Sequence, residues 1–262
     1  MERHVYAEPF AGGCGLALNL LYEGNVRDIH INDIDPGIWA FWHCVLNLNE
    51  ELVDKILDVK VDIAEWVVQK EVYNLGDVSD PLSLGFATFF LNRTNRSGII
   101  KKAGAIGGFN QTGPYKIDCR FNKKDLCLRI RRIAKYRSQI HLSNLDALDF
   151  IDNMNQLDKK VLLCIDPPYF KKGKGLYTNF YEPGDHEVLS KKILNSNHPW
   201  IVTYDKADVI RKLFESKRQF EFDITYTLQD KRKGTEVLIM SDQLISTKQM
   251  SERRLLPNSI AA

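Results

Sequence analysis

Residues 4–7 read as a short strand that runs into a Gly-rich stretch. Residues 16–21 then form an apolar helical run that Gly24 can close, and Ile29 and Ile31 alternate again up to Asn32-Asp33. Strand, Gly-rich turn, helix and strand in that order predict a βαβ opening. Between about Glu50 and Arg137 the period lengthens: ELVDKILDVKVDIAEWVVQ and LGFATFFLNR carry apolar residues at helical spacing, followed by a loop with Gly104, Gly107 and Gly108. This stretch predicts a mainly helical insertion between sheet strands. Strand-like segments return at residues 139–142, 161–165, 200–203, 220–226 and 236–240, with a helix over 186–194. The alternation predicts an α/β fold with a mostly parallel, doubly wound sheet. Residues 1–55 and 138–245 would form the sheet domain, 56–137 the insertion and 246–262 a poorly ordered tail ending LLPNSIAA.

At 262 residues, 44% hydrophobic and 27% charged, the chain suffices for one sizeable core and one inserted subdomain. Its aliphatic runs fall far short of the roughly 18 apolar residues of a membrane span. The start, MERHVYAEPF, has no basic region followed by an apolar one, so a cytoplasmic location without membrane contact is expected. Five scattered cysteines without a CxxC pair argue against a disulfide framework and against zinc. His43-Cys44 has no second ligand pair at metal-site spacing, so no metal is expected.

The net charge of +2 hides a strong asymmetry. Residues 93–137 hold thirteen Lys and Arg against Asp118 and Asp125, a balance of +11 that leaves −9 for the rest of the chain. LCLRIRRIAKYR reads equally as a solvated helix face. The Asn, Gly, Phe and Tyr residues interleaved in LNRTNRSGII and GGFNQTGPYK favour a surface that tracks a phosphate backbone.

Two constellations carry chemistry. In YAEPFAGGCG, residues 6–15, the glycines would let the backbone approach a ligand at the sheet edge, and Asp35, twenty positions beyond Gly15, could accept from ribose hydroxyls. Gly clusters also serve tight turns, and Asp35-Pro36-Gly37 can be a turn alone. The second constellation, VLLCIDPPYF, ends a buried strand in Asp166-Pro167-Pro168-Tyr169-Phe170. The amino nitrogen of adenine is a poor nucleophile because its lone pair is delocalised into the ring. A site must therefore accept its hydrogens and favour tetrahedral geometry. Asp166 and the Pro167 carbonyl can do so, the two prolines hold the corner rigid, and Tyr169 can stack on a base, as a flipped-out base requires. A strand ending at a Pro-rich turn with an aromatic plug would explain Pro and Tyr but not the Asp.

The order YAEPFAGGCG, INDIDP, LNRTNRSG in a basic insertion, LDALDF, DPPYF, WIVTYDK and EVLIMSD resembles the Dam-type, alpha-group DNA adenine-N6 methyltransferases over most of the chain. The resemblance implies a Rossmann-like, S-adenosylmethionine-dependent methyltransferase sheet with a helical DNA-recognition insertion. It implies that Glu8, Pro9, Phe10, Gly12, Gly13 and Gly15 bind S-adenosylmethionine, that Asp33 and Asp35 hold its ribose, and that Asp146 lies against its adenine. Asp146 can alternatively cap a helix, and Arg93 can hold only a phosphate. Asp166, Pro167, Pro168 and Tyr169 match the catalytic motif, with Asp166 also beside the cofactor and Phe170 as an adjacent wall. Asn92, Arg93, Asn95, Arg96, Lys101, Lys102, Asn110 and Lys116 would meet duplex DNA. The resemblance also allows a companion restriction enzyme.

Members of that family usually carry, ahead of the first cofactor motif, a segment with Gly-Gly-Lys or a similar motif. Here Tyr6 almost follows the initiator, so one wall of the pocket would be absent. The expectations are a truncated product, a partner chain that supplies the piece, or a weak enzyme. The rival functions are a catalytically silent DNA-binding relative, and methylation of RNA or of a protein amide. Asp166, where protein-amide enzymes usually show Asn, and the basic insertion favour a nucleic-acid adenine.

Overall fold

The computed structural model of the protein describes residues 4–170, 181–226 and 232–245. Its strands are β1 (His4–Glu8), β2 (Val26–Asn32), β3 (Ile140–Ser143), β4 (Val161–Ile165), β5 (Trp200–Asp205), β6 (Arg218–Tyr226) and β7 (Arg232–Met240), in one seven-stranded sheet of order β3-β2-β1-β4-β5-β7-β6. The pairs β1–β2, β1–β4 and β4–β5 are parallel, whereas β7 runs antiparallel to both β5 and β6. The helices are α1 (Gly15–Tyr22), α2 (Pro36–Asn47), α3 (Asn49–Asp58), α4 (Ile63–Leu75), α5 (Pro81–Thr94), α6 (Lys123–Ala134), α7 (Ala147–Asn155), α8 (Pro183–Leu194) and α9 (Asp208–Leu213). Among the described residues no helix is long and apolar enough to cross a membrane. The tail read at 246–262 lies outside the described residues.

The chain divides into two compact units, Met1–Asn32 with Leu145–Ala262, and Asp33–Asn144. The second takes in the insertion read at 56–137 and adds α2, α3 and β3. Within it, the apolar stretch read over 51–69 is two helices, because α3 ends at Asp58 and Asp62 restarts the chain by accepting from the Glu65 amide at 2.9 Å. Helix α2 begins at the Asp35-Pro36-Gly37 turn. Asp35 caps it, and Pro36 occupies the first turn, where a missing N–H costs nothing. Helices α2 and α5 pack closely: a Cβ built on Gly85 would lie 2.7 Å from the Ala40 carbonyl oxygen. Helix α6 buries Leu126, Cys127, Ile130 and Ile133, the apolar stripe of LCLRIRRIAKYR.

In the first unit, strands β1 and β4 are adjacent, yet the chain leaves β1 towards β2 on one side and β4 towards β5 on the other. Their C-terminal ends therefore lie at a topological switch point, where loops diverge and leave a crevice. The core beneath it is built from Val5, Ala7, Leu163, Ile165, Val202, Val237 and Ile239, with Phe150, Ile151, Leu189 and Ile193 from α7 and α8. Asn32, fully buried at the end of β2, ties the crevice loops together. Its Nδ2 donates to the carbonyls of Pro9 at 3.1 Å and Leu145 at 3.0 Å, and its Oδ1 accepts from the Leu145 amide at 2.9 Å.

Removing that amide would strand three backbone groups, the buried Pro9 carbonyl and the part-buried amide and carbonyl of Leu145; a buried group costs about 1–3 kcal/mol when unsatisfied. Asn32→Ala is expected to lower unfolding stability by about 2–4 kcal/mol, read from the urea midpoint at unchanged slope. A loss below about 0.5 kcal/mol, the range of neutral surface changes, would show that Asn32 does not hold the loops.

Candidate active site

At the end of β1, Glu8 is only 8% exposed and its Oε1 accepts from the Tyr6 hydroxyl at 2.7 Å. Burial raises its carboxyl above the usual range, against the hydrogen bonds from Tyr6, Cys14 and the Ala17 backbone that favour the ion; Asp166 adds to the rise. Burial likewise holds the Tyr6 phenol far above its ordinary value, so it remains a donor, and pushes the Cys164 thiol up to about 11, so it stays neutral. The Gly-rich loop leaves β1 with the Ala11 amide on the Asn32 carbonyl at 2.8 Å and the Cys14 amide on the Ala11 carbonyl at 2.7 Å. Gly12 (φ +46°) and Cys14 (φ 53°) both adopt left-handed backbone. Gly13 and Gly15 do not, and a Cβ on either would meet nothing within 4 Å. Nothing in the described chain requires glycine there, so the open room fits a ligand lying close against the backbone.

At the end of β4, Asp166 emerges from the sheet with Pro167 and Pro168 buried and Tyr169 and Phe170 half-buried behind it. Its Oδ1 accepts from the Thr203 hydroxyl at 2.7 Å. The protein packed around the carboxyl raises it above the usual aspartate range, and Glu236 adds to the rise. The hydrogen bonds with Thr203 and Tyr169 pull the other way. The Phe170 amide donates to Asp205 Oδ1 at 2.9 Å.

An aromatic wall stands beside this corner. Phe10 meets Tyr181 edge-on at 5.9 Å between ring centres, and His186 lies 5.3–5.5 Å from Phe170, Tyr181 and Tyr204. His186 is 1% exposed, its Nδ1 is 3.0 Å from the Tyr204 hydroxyl, and burial lowers its pKa so that the ring is neutral at pH 7.

The first unit thus brings together Glu8, Pro9, Phe10, Gly12, Gly13, Gly15, Asp166, Pro167, Pro168 and Tyr169 at one sheet edge. Asp146, on the turn that Asn32 secures, is exposed and caps α7 by accepting from the Leu148 amide at 2.8 Å. In the second unit, Asp35 Oδ1 accepts from the Gly37 amide at 2.8 Å and the Ile38 amide at 3.2 Å, while Oδ2 accepts from the Tyr73 hydroxyl at 3.3 Å. Asp33 Oδ1 accepts from the Asp35 amide at 3.0 Å.

The residues read as DNA contacts divide by exposure. Asn92, Arg96, Lys101, Lys102, Asn110 and Lys116 are exposed. Asn95 is fully buried. Its Oδ1 accepts from Trp66 Nε1 at 2.6 Å, and its Nδ2 donates to the carbonyls of Ile99 and Ile100, so the side chain builds the loop. Arg93 is half-buried, with its guanidinium on the Arg120 carbonyl at 2.7 Å. Arg120 in turn donates to the carbonyls of Asn92, Arg93 and Asn95. Gln111 shapes the GGFNQTGPYK loop: it donates to the carbonyls of Ile106 and Gly108, accepts from the Ile117 amide, and leaves Phe109 and Tyr115 exposed. Asn32, Arg120, Thr203, Asp205 and His186 were not picked out by the sequence reading. Asn32 lies in INDIDP and Thr203 and Asp205 in WIVTYDK, stretches quoted for the resemblance without a role for these residues, whereas Arg120 and His186 carried no signal of their own.

The switch point of a largely parallel sheet with an antiparallel β7 beside β5, bearing a Gly-rich loop, the Glu8 carboxyl and an Asp-Pro-Pro-Tyr corner, is the arrangement of a Rossmann-like methyltransferase. The model of the D12 class N6 adenine-specific DNA methyltransferases matches residues 2–229, and the chain belongs to that family. No curated protein matches the chain. Among solved structures it is similar to one from Pyrococcus horikoshii described as an RNA methyltransferase, at 9% identity and a TM-score of 0.40, covering 91% of this chain and 74% of that one. It is also similar to the rRNA methyltransferase aviRa from Streptomyces viridochromogenes, at 13% identity and a TM-score of 0.35, covering 91% and 76%.

The raised carboxyl of Glu8 has a consequence for stability. A folded pKa above the unfolded value means that the folded state gains its stabilising proton below about pH 4.5 and loses that contribution as pH rises through the raised value. Above the raised value the buried ion therefore opposes folding. Glu8→Gln, which keeps an acceptor for Tyr6, is expected to raise the melting temperature of the ligand-free protein at pH 7, with the gain shrinking towards pH 4.5. A lower melting temperature at pH 7 would show that Glu8 is held by more than its desolvation allows.

Proposed function

We propose that the protein transfers a methyl group from S-adenosylmethionine to the N6 of an adenine flipped out of duplex DNA. The observation that carries the reading is the Asp166-Pro-Pro-Tyr corner at the switch point, next to a Gly-rich loop with room at Gly13 and Gly15. S-adenosylmethionine supplies, when bound, a methyl group on a cationic sulfonium that departs as a neutral thioether. Glu8, Pro9, Phe10, Gly12, Gly13 and Gly15 would hold it, with Asp146 towards its adenine and Asp33 and Asp35 as the proposed acceptors for ribose hydroxyls. Glu8 and Asp166 suit a cationic ligand because, among the described residues, the charged groups acting on each are acidic.

Asp166 and the Pro167 carbonyl would accept the two amine hydrogens, which draws the nitrogen lone pair out of conjugation. The prolines keep both acceptors in place before the substrate arrives, so little reorganisation is spent during reaction. Tyr169 would stack on the flipped base and offset part of the few kcal/mol that unstacking costs, on the order of 1–3 kcal/mol per stacked base. Exposed Asn92, Arg96, Lys101, Lys102, Asn110 and Lys116 would meet the duplex, with Arg93 and Asn95 shaping the loops that present them.

The test is incubation of the purified chain with S-adenosylmethionine and unmethylated mixed-sequence duplex, followed by digestion to nucleosides and mass spectrometry for N6-methyladenine. Wild type is expected to form it, and Asp166→Ala is expected to lose at least about a thousand-fold, consistent with removal of a preorganised acceptor. Equal activity in Asp166→Ala, or none in wild type, overturns the reading.

A further inference from the structure

The corner has few ways to be held from within. Pro167 and Pro168 have no N–H, so the backbone between Asp166 and Tyr169 cannot be anchored by its own amides. The neighbouring strand supplies the anchors. In the parallel β4–β5 pair, Ile165 faces Val202, so Asp166 and Thr203 are the next residues at the same level of the ladder. The Thr203 hydroxyl donates to Asp166 Oδ1 at 2.7 Å. Two residues further along β5, on the same face by the strand period, buried Asp205 accepts from the Phe170 amide at 2.9 Å. Tyr204 between them points to the opposite face, where its hydroxyl lies 3.0 Å from His186 Nδ1. The end of β5 is thus pinned on one face and grips the corner at both of its ends on the other.

We propose that Thr203 and Asp205 are positioning residues for methyl transfer, Thr203 fixing the plane of the Asp166 carboxylate, on which Tyr169 also acts, for the substrate amine. Asp205 holds the backbone beyond Tyr169 and so sets the stacking plane. This inference rests on the reading of Asp166 as the acceptor for an adenine amine. Among the described residues, the groups besides Thr203 that act on Asp166 are Glu8 on β1, Cys164 on β4, Tyr169 beyond β4, Tyr204 on β5 and Glu236 on β7; with these unchanged, loss of the Thr203 donor destabilises the ion.

The experiment measures kcat, KM and the pH profile of kcat for wild type, Thr203→Val, Thr203→Ser and Asp205→Ala, with Asp166→Ala as control and S-adenosylmethionine affinity by calorimetry. Thr203→Val keeps the volume and removes the donor. It is expected to lower kcat by on the order of ten- to a hundred-fold with cofactor affinity within about three-fold, and to move the acidic limb of kcat to higher pH. Thr203→Ser restores both, and Asp205→Ala, which removes the acceptor for the Phe170 amide, lowers kcat without moving the limb. Wild-type kcat and limb in Thr203→Val beside an inactive Asp166→Ala overturns the proposal and leaves the site reading intact. A loss in Thr203→Val that Ser does not restore also overturns it, as packing rather than the hydrogen bond. Full activity in Asp166→Ala instead defeats the site reading itself.

Discussion

The structure depends on holding two acidic side chains at one sheet edge. Glu8 and Asp166 end adjacent parallel strands, and the protein surrounding them raises both carboxyls. A fold selected only for stability would replace Glu8, since a buried carboxyl without a compensating charge opposes folding once ionised, whereas Asp166 is exposed at the strand end. Their presence at the switch point is what a site for a cationic ligand requires. An opposite charge within a few ångströms favours the ionised form, so the unfavourable term in the free protein becomes a favourable one on binding. The surrounding features follow from that need. The Tyr6 hydroxyl bonds Glu8 from below, the two prolines stiffen the corner, and Asn32 fixes the loops on either side.

Much of this arrangement was legible in the sequence because it is local. The run 161–165 ends abruptly in Asp-Pro-Pro, and no side chain elsewhere is needed to see a strand stop at an acidic corner. Strand β4 has the expected bounds, and β1, β5 and α8 differ from theirs by one to three residues at an end. What sequence could not show are bonds between distant residues. Asn32 meets Leu145 at a separation of 113 positions, Phe170 meets Asp205 at 35, and Thr203 meets Asp166 at 37. An Asn or Thr at a strand end is as common at a turn as at a clamp, and only the strand order separates the two. Helix α2 was hidden for another reason: Asp-Pro-Gly opens both a turn and a capped helix, and burial of Trp42, Val45 and Leu46 decides for the helix.

The basic segment shows how charge read along a chain differs from charge offered at a surface. Its +11 balance is strong, yet part of it works inside the second unit. Arg93 and Arg120 bind each other's backbone carbonyls across a loop, Arg131 engages Glu50, and Lys123 donates to the carbonyls of Leu57 and Val59. Asn95, which a linear reading places among polar loop residues, is buried because Trp66, 29 positions earlier, seeks an acceptor for its indole N–H. Most of its cations are nonetheless exposed: Arg96, Lys101, Lys102 and Lys116 beside exposed Phe109 and Tyr115, and Lys124, Arg129, Arg131, Arg132, Lys135 and Arg137 on and after α6.

The claim on which the account rests is that the edge formed by Glu8 and Asp166 is built for a cation. Calorimetric titration of wild type and Glu8→Gln with S-adenosylmethionine and with its neutral thioether counterpart, S-adenosylhomocysteine, tests it most directly. The account predicts that Glu8→Gln reduces the preference for the sulfonium over the thioether by on the order of ten-fold while leaving thioether affinity nearly unchanged. An unchanged preference in Glu8→Gln would contradict it.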